Sequence, residues 1–159
     1  MNQKVEKALK LFDDGFNCSQ SVIGAFCSKF GLDEELAMKL TCGFGGGMRC
    51  GEVCGAVTGA IMVIGLRYGQ YKAEDKESKT RCYDLTSKFM EEYAKRNNSV
   101  ICRELLGFDL RDTEARAKLS GKIGEVCPNA IRTAVELLEE MGFNSIAENR
   151  RENKEAEYE

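Results

Sequence analysis

The 159-residue chain has no histidine, no tryptophan and a single proline, Pro128. Without histidine there is no Cys–His nucleophile pair and no imidazole-ligated metal site. No C-x-x-C occurs either, which argues against a zinc ribbon, a rubredoxin-like knot or a thioredoxin motif, and no C-x-x-C-H attaches a haem. Long apolar runs are missing: the best, "AIMVIGL" at 60–66, falls far short of the roughly 20 residues that cross a bilayer. The first residues, "MNQKVEKALKLFDDG", lack a signal peptide's apolar core. A cytoplasmic location without membrane insertion is therefore expected. The net charge of −3 gives no electrostatic reason to expect nucleic acid as a partner.

The chain is rich instead in helical periodicity and cysteine. Apolar content of 43% and charged content of 31% suit one globular domain, expected over residues 1–143, with a polar tail at 144–159. Val5, Leu9 and Phe12 share one face of a first helix that stops at Gly15. Asn17 with Gln20 reads as a capping box opening a second helix, with Val22, Ile23, Phe26, Cys27 and Phe30 inward. Asp33 opens a third, with Leu36 and Leu40 as its stripe. A fourth is expected from about Glu52 to Leu66, and a fifth over 74–97 aligns Cys82, Leu85, Phe89 and Tyr93. After a short turn at 99–107, one helix runs from about Asp112 to Lys122. Another opens at Pro128, a residue suited to the first helical position, and aligns Ile131, Val135, Leu138 and Met141. The fold class is an all-α bundle of about five to seven helices, with a glycine-rich loop before the fourth.

The eight cysteines fall below the roughly 8–10% that marks a disulfide scaffold, so in a reducing compartment they read as thiols, ligands or redox partners. Cys27 and Cys82 lie within apolar stripes, as small hydrophobes do. Cys42 sits near a helix end. Cys18, Cys54, Cys102 and Cys127 fall at four expected helix N-termini, where the positive dipole end favours thiolate. Around Cys54, the stretch "GFGGGMRCGEVCGAVTGA" (43–60) fits neither a dinucleotide fingerprint nor a P-loop, since Gly51 is followed by Glu52. Gly51, Gly55 and Gly59 recur every four residues, a nearly bare face that a helix or an inorganic group can approach closely.

"FNCSQSV" at 16–22, "GEVCGAVTGA" at 51–60, "CRELLG" at 102–107 and "CP" at 127–128 together resemble the C-GCAxxG-C-C family, described as redox-active proteins. The resemblance covers roughly residues 5–142 and maps the four family cysteines onto Cys18, Cys54, Cys102 and Cys127, leaving Cys42 and Cys50 as extras. It implies redox activity and, through association with oxidoreductase genes, a protein redox partner. An established reaction is not among its implications.

Three chemistries fit these residues. In the first, the four thiolates hold an iron–sulfur cluster, [2Fe–2S] by preference, in an electron carrier or sensor; Gly45, Gly46, Gly47, Gly51 and Gly55 bend backbone around it. In the second, Cys54 attacks a disulfide and Cys50 or another site cysteine resolves it, the two facing each other across one helical turn. In the third, a structural zinc site of four cysteines serves a non-catalytic interaction domain. Glycine-rich faces also leave room for a homodimer.

Overall fold

A computed structural model describes residues 2–144. Asn144 apart, the polar tail lies outside the described residues. Seven α-helices follow in chain order: α1 (Gln3–Asp13), α2 (Cys18–Phe26), α3 (Glu34–Thr41), α4 (Gly55–Tyr68), α5 (Lys76–Asn97), α6 (Cys102–Leu106) and α7 (Thr113–Glu140). The expected all-α bundle is what forms; among the described residues the nearest thing to a sheet is one antiparallel bridge between Val53 and Ile101.

Local chemistry sets most helix starts. The Asn17 side chain accepts from Gln20 N–H, and Gln20 Oε1 accepts from Asn17 N–H, each at 3.0 Å. Two otherwise unsatisfied backbone donors are thereby paired, a gain of about 1 kcal/mol. Asp33, Asp75 and Asp112 accept from backbone N–H groups in the first turns of α3, α5 and α7. Every residue of α2 is buried, as its central position requires: it packs on α1, α3, α4 and α7. The main core joins Ile23 and Phe26 of α2 to Val57 and Ile64 of α4, Phe89 and Tyr93 of α5, and Ile131 and Leu138 of α7. A second, smaller cluster holds Cys102, Leu106 and Phe108 against Leu110, Ile123, Val126 and Cys127.

Four local expectations fail, each for a physical reason. The helices expected at 112–122 and from Pro128 are one, α7, with Pro128 in its interior. Cys127 is therefore mid-helical and caps nothing. Leu36 and Leu40 are exposed, while Ala37 and Thr41 face inward; small side chains let α3 sit close to α2, where Gln20 Nε2 donates to Met38 O at 3.1 Å. The fourth helix begins at Gly55, because residues 52–54 are extended and paired with 100–102. Cys27 is fully buried as expected, whereas Cys82 is half-buried at the core's edge.

Candidate functional site

The bridge at Val53 and Ile101 positions two of the four cysteines. Cys54 N–H donates to Val100 O at 2.8 Å, and Cys102 N–H donates to Glu52 O at 2.6 Å. Alternation along extended chain then puts Cys54 and Cys102 on one face of the bridge, opposite Val53 and Ile101. Each also adjoins a helix start: Cys54 is the N-cap of α4 and Cys102 the first residue of α6. Cys18, first residue of α2, reaches the same place because α2 and α4 pack backbone to backbone. A Cβ on Gly59 would come within 2.8 Å of Ser19 O, and one on Gly55 would collide with Cys18 Sγ. Cys127 arrives from the middle of α7.

All four open on one cavity of about 200 Å³, walled by Leu105, Leu106, Leu110, Ile123, Val126 and other apolar groups. The cavity lies on the seam between the two apolar clusters. Cys18 and Cys54 come from the larger cluster, and Cys102 and Cys127 from the smaller. Cys18, Cys54 and Cys102 are buried and Cys127 is half-buried.

Cys18 and Cys54 touch. The Cys54 thiol donates to the Cys18 sulfur, and this bond, aided by the backbone N–H groups of Gly46, Ser19 and Cys18, lowers the Cys18 pKa against the cost of burial. The same bond, with burial, raises Cys54. Tyr93 OH donates to Cys54 Sγ at 3.9 Å. Burial pushes Cys102 up to about 11 and Cys127 up to about 12. The pair thus shares its protons unequally, with Cys18 the readier thiolate.

Of the glycines expected at the site, Gly46 lines the cavity. Gly45, Gly47 and Gly55 act as spacers instead: a Cβ on them would meet Asn17, Cys102 and Cys18 respectively. Gly51 packs on Arg103 and Asp109, outside the cavity wall. Cys42 is exposed, and the Cys50 thiol donates to Gly47 O at 3.3 Å. The helical turn that would set Cys50 against Cys54 does not form, since residues 47–51 make an irregular turn ahead of α4. Cys18 stands where Cys50 was expected.

Sequence reasoning missed Tyr93 as a sulfur partner, and Arg116 and Asn17 as cavity walls. Tyr93 looked like any core aromatic, and no spacing links Arg116 to the cysteines.

Among the described residues, no three Cys, Asp or Glu side chains are grouped closely enough to hold one metal ion. No helix among them is long and apolar enough to cross a membrane. No curated protein matches the chain, and no solved structure does. A family model does match, over residues 16–141. The span holds all four cavity cysteines, and the chain belongs to this family, described as "Putative redox-active protein (C_GCAxxG_C_C)".

Proposed function

We propose that the four-cysteine cavity is a one-electron redox centre in which Cys18, Cys54, Cys102 and Cys127 hold an iron–sulfur cluster. The observation that carries this reading is that all four thiols, brought from α2, α4, α6 and α7, open on one apolar cavity. A [2Fe–2S] cluster takes four thiolates, two on each iron.

The bound cluster would supply reversible one-electron transfer. The chain's own contributions are separate from that chemistry. Burial of Cys18, Cys54 and Cys102 limits the access of water and external thiols to these ligands. Gly46 N–H, which donates to the Cys18 sulfur, stabilises charge there, and hydrogen bonds to sulfur are among the factors that set a cluster's potential. Tyr93 OH does the same at Cys54.

The test is anaerobic purification followed by iron and acid-labile sulfide analysis of the parent and four Cys→Ser variants. Iron and sulfide in equal amounts in the parent, with most of both lost in each variant, are expected. A metal-free protein that stays so after anaerobic reconstitution contradicts the reading.

The direct Cys18–Cys54 hydrogen bond favours a second reading, a buried dithiol. There two thiols become one disulfide, releasing two protons and two electrons to an acceptor disulfide, which becomes two thiols. In that case Cys18 attacks and Cys54 resolves. Trapping a mixed disulfide on Cys18 in a Cys54→Ser variant is its test.

A further inference from the structure

We propose that the mouth of the cysteine cavity is a docking surface for an acidic redox protein, whose carboxylates pair with Arg49 and Arg116. The inference rests on the redox reading above and names the partner that reading requires.

Arg49 and Arg116 both line the cavity and both are exposed, so the cavity reaches the surface at these two residues. No carboxylate lines it. The next arginines along the surface are neutralised: Arg103 pairs with Glu52 at 2.7 Å and Arg111 with Asp109 at 2.6 Å. Among the described residues, neither Arg49 nor Arg116 has a carboxylate within ion-pair distance. Two unpaired cations at this spot run against a net charge of −3. A concentrated charge of one sign at a cavity mouth steers oppositely charged partners and raises association rates.

The backbone at Arg49 gives an independent reason. Gly46, Gly47, Met48 and Arg49 all have positive φ, between 57° and 64°, forming a left-handed turn. Glycine accepts that conformation freely, but Met48 and Arg49 are strained in it. Strain of this kind collects where function holds it in place. Here it presents Arg49 at the mouth. Met48 and Phe16, chain neighbours of the cavity-lining Arg49 and Asn17, are 40% and 37% exposed. An exposed Met and Phe beside unpaired Arg is the composition of a protein interface. A small anion held inside the cavity would leave both apolar groups in water, whereas a protein face covers them.

The experiment is stopped-flow electron exchange with three probes as ionic strength is raised. Reduced plant-type ferredoxin, which is acidic, gives one electron to the oxidised protein. Cytochrome c, which is basic, and ferricyanide each take one electron from the reduced protein. The ferredoxin rate should fall steeply with salt. At low salt it should drop about twofold to threefold in Arg49→Gln and in Arg116→Gln, and about fivefold to tenfold in the double variant. The cytochrome c rate should be flat or rise. Arg49→Gly relieves strain, so it should show the same rate loss with a melting temperature raised by roughly 2–4 °C. That separates docking from damage to the fold. A ferredoxin rate indifferent to salt and to both arginines overturns the proposal. So does a charge dependence seen with ferricyanide alone, which would make the mouth a small-anion site. If none of the three probes exchanges electrons, the redox reading fails and this inference falls with it.

Discussion

Gly59→Ala and Gly65→Ala make the same change in the same helix, α4, and should have opposite effects. A Cβ on Gly59 would lie 2.8 Å from Ser19 O and 3.3 Å from both Ser19 Cα and Val22 Cβ. Two of these are α2 backbone atoms, so α2 and α4 must separate by several tenths of an ångström. Overpacking of this kind costs about 1–3 kcal/mol. Alanine's better helix propensity returns about 1 kcal/mol, leaving a net loss of up to about 2 kcal/mol. At Gly65 the added methyl meets nothing within 4 Å, so propensity acts alone and stability rises by about 1 kcal/mol. In a chain of this size about 1 kcal/mol moves the melting temperature by about 2–4 °C. Urea denaturation and thermal scans of the three proteins, prepared in one redox and metal state, read the difference. Gly59→Ala at or above the parent's stability would refute the claim that backbone contact between α2 and α4 sets the position of Cys18 against Cys54.

Further outcomes follow from the same geometry. Gly55→Ala drives the added methyl into Cys18 Sγ, so metal content should fall by more than half even where the variant stays folded; full occupancy by iron analysis would contradict the site. Cys42→Ser and Cys50→Ser should keep the parent's iron and sulfide, since one side chain is exposed and the other is bonded to Gly47 O. Asn17→Ala removes both the capping box and the 2.8 Å bond from Asn17 Nδ2 to Cys42 O, and should cost about 1–2 kcal/mol by denaturation. Asp109 is held down to about 2, chiefly by hydrogen bonds from the Arg111 side chain. Its ion pair persists below the ordinary carboxylate range and is lost only as pH falls through about 2. A carboxyl-carbon NMR titration with a midpoint near the ordinary value of about 4 would contradict that pairing.

Much of this was readable from the chain because the relevant forces are local. The Asn17–Gln20 box and the Asp33 cap lie within four residues of what they bind, and the box starts the helix that carries Cys18. Tertiary pairing is what the sequence conceals. Residues 52–54 look helical, yet bonds from Cys54 N–H to Val100 O and from Cys102 N–H to Glu52 O hold them extended, and only that pairing sets Cys54 beside Cys102. Pro128 reads as a helix start because proline forfeits an N–H bond inside a helix. Here the residue four positions earlier is Gly124, and α7 runs through. The left-handed turn carries no warning at Met48 or Arg49, since neither residue type favours positive φ. Leu36 and Leu40 make a regular stripe, but Ala37 and Thr41, one step around α3, face the core.

The central claim is that the electrons reside on a cluster held by all four cysteines. An anaerobic redox titration, followed by visible absorbance and electron paramagnetic resonance, tests it most directly. The expected result is a one-electron transition, with a slope of about 59 mV per decade, a paramagnetic reduced state, and loss of both in Cys18→Ser and in Cys127→Ser. A two-electron transition near about 30 mV per decade, with no paramagnetic signal and unchanged in Cys127→Ser, would contradict it and leave the Cys18–Cys54 dithiol as the redox centre.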